Sequence, residues 1–285
     1  MKIRYRPEID GLRAISVIAV ILYHADLTFK GIPIFAGGFI GVDIFLVISG
    51  YLITSLILKE INLKKDFSFI NFYERRARRI LPALFGVIIF SLPFAWMYLL
   101  PIEFKSFSKS IIYTIFFGSN FYFHFTGLEY GAPSSFLKPF LHTWSLAIEE
   151  QFYIIFPIII FLTFKFFKKN LIKILIALFI ISLIFAEWGS KSYPSSTFYF
   201  LHSRAWEVLA GSLLAYYGNK KRKIFYNAYE KFLPAVGIVL IIFSFLFYKD
   251  DMFHPSIMTV IPVTGVALII WFAGKKDYIS KILST

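Results

Sequence analysis

Residues 38–58 read GFIGVDIFLVISGYLITSLIL, with Asp43 as the single charged side chain. A helix rising about 1.5 Å per residue crosses the hydrocarbon of a bilayer in about 20 residues, and this run has that length. Similar apolar runs occupy 11–29, 82–100, 142–164, 171–188, 201–217, 232–248 and 256–273. A weaker stretch, 107–126, is interrupted by Lys109, Ser119, Asn120, His124 and a glycine. The AVILMFWYC set makes up 58% of the 285 residues and charged residues 16%, against about 25% charged in soluble chains. Mean hydropathy is +0.70. These values exclude disordered, fibrous and disulfide-stapled classes. The expectation is one all-α domain over 1–285, a polytopic transmembrane bundle of about 8–9 membrane segments.

The absence of cysteine removes disulfides, thiolate metal sites and a cysteine nucleophile. The net charge of +13 falls between the apolar runs, where the positive-inside rule puts it, so it reads as topology and not as nucleic-acid binding. Basic clusters at 59–79, 165–173, 220–223 and 275–276 should all be cytoplasmic. With a cytoplasmic amino terminus, 82–100 and 142–164 then cross, and 107–126 becomes a non-crossing or re-entrant element shielded by protein. No small-residue cleavage pattern follows the first span, so it should be retained.

Ionisable residues inside spans form the functional shortlist, because they are expensive there and face a partner or a cavity. Arg13 and His24 are eleven residues apart. Eleven steps of about 100° return to within about 20° of the start, so the two share a face about 16 Å apart along the axis. The plain alternative makes Arg13 a cytoplasmic anchor and His24 an interfacial cap. Asp43 is a candidate partner for His24 across adjacent antiparallel helices. His142, Ser145 and Glu149 lie on one helical face, and Glu150 points about 100° away. Glu149 falls at a depth comparable with His24, which would make an acid–base pair; a structural ion pair is the alternative. Arg204 and Glu207, three apart, read first as a structural salt bridge and second as acceptor-binding groups. Arg75, Arg76, Arg78 and Arg79 exceed what orientation needs, and guanidinium forks suit phosphate. Anionic lipid or a plain topology signal would explain them too.

Four motifs in order carry a family resemblance. They are Tyr5-Arg6-Pro7-Glu8-Ile9-Asp10-Gly11-Leu12-Arg13-Ala14 with its spacing to His24; Gly41-Val42-Asp43-Ile44-Phe45-Leu46-Val47-Ile48-Ser49-Gly50-Tyr51; the Arg-x-x-Arg block at 75–79; and His142-Thr143-Trp144-Ser145-Leu146 running into Glu149-Glu150-Gln151-Phe152-Tyr153. With them the chain resembles the acyltransferase-3 family, the multi-span acyltransferases that decorate bacterial surface polysaccharides, peptidoglycan and some secondary metabolites. The family pattern usually continues into further helices, about ten in all, and sometimes into an SGNH-hydrolase domain. Ending at Thr285 with neither, this chain resembles a truncated or split member, whose missing helices a second polypeptide would supply.

The resemblance implies transfer of an acyl group, most often acetyl, from acyl-coenzyme A to a hydroxyl of a surface glycan such as lipopolysaccharide, exopolysaccharide or peptidoglycan, or of a lipid-linked sugar. It implies residence in the inner membrane of a bacterium, acetyl-CoA as co-substrate, and no metal. Arg75, Arg76, Arg78 and Arg79 would hold the coenzyme's phosphates, its pantetheine arm passing Arg13. His24 would act as general base or carry the acyl group as acyl-imidazole. Glu149 or Glu150 would orient the histidine, with Asp43 a rival, and His142, Ser145, Arg204 and Glu207 would face the acceptor. An inactive or split-gene remnant and a transporter or flippase are the competing readings.

Overall fold

The computed structural model describes residues 5–30, 32–128, 138–167, 170–221, 231–274 and 278–284. Lys168, Lys169, Arg222, Lys223, Lys275 and Lys276, members of the expected cytoplasmic clusters, lie outside the described residues. The described chain is helical apart from a two-residue antiparallel pair, β1 (Thr28–Phe29) with β2 (Ile32–Pro33). The helices are α1 (Pro7–His24), α2 (Gly41–Lys64), α3 (Phe69–Tyr98), α4 (Pro101–Ile115), α5 (Ser119–Gly127), α6 (Thr143–Phe166), α7 (Leu171–Ser192), α8 (Pro194–Tyr199), α9 (Leu201–Lys221), α10 (Leu233–Phe247), α11 (Val260–Phe272) and α12 (Tyr278–Leu283).

Four of the described helices are long and apolar enough to cross a membrane: Gly38–Lys64 with its leading 3-10 turn, Phe69–Tyr98, Thr143–Phe166 and Leu171–Ser192. This corrects the expectation of eight or nine, for two physical reasons. The runs at 232–248 and 256–273 form α10 and α11 of 15 and 13 residues, about 22 and 20 Å long, short of a hydrocarbon core about 30 Å thick. The runs at 11–29 and 201–217 do form long helices, but α1 carries Glu8, Asp10 and Arg13, and α9 carries Arg204 and Glu207. The weak stretch at 107–126 is no single helix either. It is divided between α4 and α5 by a break at Phe117–Gly118, where Phe117 takes a positive φ of 53°.

The described chain packs as two compact units. The first takes in Met1–Leu63, Thr163–Phe198 and His202–Thr285, and the second Lys64–Leu162 and Tyr199–Leu201. In the first, α2 and α9 touch backbone to backbone. A Cβ at Gly50 would run into the Val208 carbonyl, and one at Gly211 into the Val47 carbonyl. Small residues at such a seam let helices gain dispersion contacts that lipid cannot supply. Thr54 Oγ1 donates to Ser212 Oγ at 2.8 Å just beside it. Gly237 and Gly265 make the same close approach between α10 and α11.

In the second unit α3 and α6 run alongside each other. The Tyr73 hydroxyl donates to the Ile154 carbonyl at 3.1 Å, and Phe69 packs edge-on to Phe161. Gln151 then closes the break between α4 and α5, its Nε2 donating to the Phe117 carbonyl and to Asn120 Oδ1, each at 2.9 Å. Asn120 Nδ2 donates to the Tyr199 carbonyl at 3.0 Å. These side chains satisfy backbone carbonyls that no helix ladder reaches, a requirement wherever water is excluded.

The α2–α9 seam is testable. Gly50→Val should lower thermal stability in detergent by about 1–3 kcal/mol, read as a fall in melting temperature, whereas the same change at Gly86, which has nothing within 4 Å of its Cβ position, should leave it close to the parent value.

Candidate functional site

His24 is the last residue of α1, and its ring is exposed. Its Nδ1 lies 2.8 Å from the Val20 carbonyl, one turn earlier. A carbonyl oxygen can only accept, so Nδ1 carries the hydrogen and Nε2 keeps its lone pair. Tyr23 lies edge-on to His24 at 5.0 Å between centroids, Phe39 edge-on to Tyr23 at 5.6 Å, and His254 edge-on to Phe39 at 5.0 Å. Arg13, on the same helix, makes a loose pair with Asp10 at 3.4 Å.

Asp43 does not partner His24, as the sequence had suggested. It is fully buried and accepts from Arg204 Nη1 at 2.8 Å. Arg204 also donates to Glu207 Oε1 at 3.2 Å and, through Nε, to the Phe198 carbonyl at 3.2 Å. His254 Nε2 sits 3.1 Å from both oxygens of Asp43. The reason is charge: an unpaired guanidinium inside an apolar bundle costs several kcal/mol, so the buried Arg204 is met by both nearby carboxylates. Between helices, burial pushes the His254 imidazole toward its neutral form, against the pull of Asp43. His254 was missed by sequence reading. It lies in a short loop between two apolar runs, where only its neighbour Pro255 marks it. The Arg204–Glu207 bridge read from their spacing is present, in a buried network where Glu207 Oε2 has no hydrogen-bond partner.

In the second unit, Glu149 and Glu150 stand two turns into α6. Glu149 Oε2 accepts from the Tyr153 hydroxyl at 2.9 Å, and Arg76 lies over the Tyr153 ring, its guanidinium carbon 4.9 Å from the centroid. Arg76 is within electrostatic reach of both glutamates. The four arginines therefore divide. On α3, Arg75 and Arg79 lie about 40° apart and Arg78 about 60° beyond Arg75, while Arg76 turns about 100° the other way. Arg75, Arg78 and Arg79 are exposed, with Arg78 bridged to Glu74 at 2.6 Å. Exposure, and not helical angle, sets Arg76 apart from the other three. His142 precedes the first residue of α6 and is exposed, and Ser145 donates to its carbonyl at 3.2 Å. Tyr153 lay within a motif quoted from the sequence, but only its contacts give it a role. Among the described residues no group of three or more His, Asp or Glu side chains is placed to hold a metal ion.

Long apolar helices with arginine, carboxylate and histidine held inside them define a multi-pass membrane protein whose polar residues cluster in two centres. The chain belongs to the acyltransferase-3 family, since residues 6–285 match that family's model, described as an acyltransferase domain. Among known proteins it is 33% identical to the peptidoglycan O-acetyltransferase OatA of Listeria monocytogenes over 99% of this chain and 46% of the relative. It is 41% identical to the O-acetyltransferase OatA of Staphylococcus aureus over 64% of this chain and 28% of that relative. The chain thus spans less than half the length of these relatives. No solved structure matches it.

Removing Asp43 would strand a buried arginine beside a single carboxylate. Asp43→Ala should therefore cost about 3–5 kcal/mol and show as a sharply lowered melting temperature, while Arg78→Ala, which breaks only an exposed pair, should change stability by less than about 1 kcal/mol.

Proposed function

We propose that this chain carries the membrane part of an O-acyl transfer, in which an acyl group, acetyl first among them, passes from acyl-coenzyme A to a hydroxyl of a cell-surface glycan. The names of the relatives support the glycan and the acetyl group: one is called a peptidoglycan O-acetyltransferase and the other an O-acetyltransferase. The observation that carries the mechanism is the tautomer of His24. With Nδ1–H fixed on the Val20 carbonyl, Nε2 is a ready acceptor for the hydroxyl's proton as the oxygen attacks the thioester carbon. The same nitrogen could take the acyl group first, as an acyl-imidazole. Either course uses Nε2 and needs the ring exposed, as it is.

On this reading Arg75, Arg78 and Arg79 hold the coenzyme's phosphates on the cytoplasmic side, where their fork geometry and exposure suit a mobile anionic ligand. Arg13 lines the approach of the pantetheine arm. His142 and Ser145, at the opening of α6, face the acceptor. Arg204, bonded to Asp43 and Glu207, and Glu207 are read as organising the first unit and not as acceptor contacts. The bilayer holds the assembly, with the amino terminus inside.

His24→Ala should lower transfer of label from isotopically labelled acetyl-coenzyme A to membrane glycan by at least about a hundredfold, with the protein still inserted at the normal level. Transfer at the parent rate in that variant would remove His24 from the mechanism.

A further inference from the structure

The amino-terminal end of the first unit holds a guanidinium that its surroundings satisfy only in part. Arg6 stands immediately before α1. Its Nε donates to Glu8 Oε1 at 2.7 Å, and its Nη1 donates to the hydroxyl of Tyr51 on α2 at 3.0 Å. Nη2 is covered from solvent and has no hydrogen-bond partner. A guanidinium has no lone pair to offer, so the Tyr51 oxygen only accepts in this contact and its own hydrogen stays unspent. Nη2–H and Tyr51 O–H are therefore two neighbouring donors without an acceptor among the described residues. Unmet buried donors carry a desolvation penalty that an incoming oxygen removes.

The other unpaired atoms differ in kind. The buried oxygens left unpaired on Glu150 and Glu207 are acceptors, and the unpaired indole nitrogen of Trp206 is sealed in the core at 0% exposure. The Arg6 side chain keeps 11% exposure and Tyr51 is half-buried, so an edge stays open to a ligand. Charge decides the kind of ligand. Glu8 offsets Arg6, and a phosphate would bring a negative charge that nothing in the pair balances. An amide or hydroxyl oxygen takes the free hydrogens and leaves the site neutral. The helix supplies a direction. Arg6, Arg13 and His24 are spaced by seven and then eleven residues, so they leave α1 within about 20° of one another. Between them on the same flank Val17 is 43% exposed and Val20 half-buried. One strip, polar at its ends and apolar between, thus joins Arg6 to the exposed imidazole of His24 inside a single unit.

We propose that Arg6 and Tyr51 form a binding site for an uncharged oxygen, amide or hydroxyl, of the acyl donor's pantetheine arm, a role that rests on the acyl-transfer reading above. The arm lies extended along the flank of α1 with its thioester at His24. Glu8 fixes the guanidinium through Nε and does not touch the arm.

The test uses purified full chain in proteoliposomes with labelled acetyl-coenzyme A and a glycan acceptor, and free pantetheine as competitor. Tyr51→Phe removes the hydroxyl alone, and Arg6→Lys keeps a charge opposite Glu8 but loses Nη2. Each should raise KM for acetyl-coenzyme A and the inhibition constant of pantetheine together by about tenfold, with kcat within about twofold of the parent. The melting temperature should be unchanged, and so should inhibition by adenosine 3′,5′-bisphosphate, the nucleotide end of the donor. Parental KM in both variants would overturn the proposal, as would a parent protein that pantetheine does not inhibit. Weaker inhibition by the bisphosphate but not by pantetheine would also overturn it, making the pair a phosphate site. A lowered melting temperature with parental KM would reduce Arg6 and Tyr51 to a staple between α1 and α2, again overturning it. Parent protein that transfers no label at all would overturn the acyl-transfer reading itself, a result distinct from these.

Discussion

Arg204 is a full positive charge with no solvent exposure, and the first unit is organised by the need to compensate it. Asp43 comes from the start of α2, Glu207 from the next turn of α9, and His254 from the loop after α10. Three segments distant in sequence are therefore tied to one guanidinium. Truncating Asp43 or Arg204 leaves its partner as a buried, poorly paired charge, and that penalty, more than the attraction itself, makes the arrangement specific. The same two helices, α2 and α9, nearly touch backbone to backbone at Gly50 and Gly211.

His24 profits from this anchoring without belonging to it. The column from His24 through Tyr23 and Phe39 ends on His254, which is held by Asp43. The exposed end of α1 is thus seated on a rigid base, while the imidazole itself depends only on its own helix for its tautomer.

The helices were legible in the sequence, because hydrophobic runs report apolar surroundings directly. Their role as spans was less so. A run such as 232–248 signals burial whether in lipid or against α11, and only the helix length, 15 residues in α10, separates the two. Of the polar residues, those whose partner lies within one helix were readable: Arg204 with Glu207 appears in their spacing. The partner of Asp43 was not, since sequence offered His24 on a neighbouring helix and gave no measure of the stronger claim made by an arginine 161 residues away. The division among Arg75, Arg76, Arg78 and Arg79 was not in the helical period, which puts Arg76 only about 60° from Arg79; it comes from Tyr153 and the two glutamates of α6.

The function proposed for the chain is passage of an acyl group from a donor on one side of a membrane to an acceptor on the other. The direct measurement uses sealed proteoliposomes with labelled acetyl-coenzyme A confined to the side of Arg75, Arg78 and Arg79 and a glycan acceptor confined to the opposite side. Label accumulating on the acceptor while the coenzyme stays sealed away is the result predicted. Label appearing only when donor and acceptor share a compartment would contradict the account.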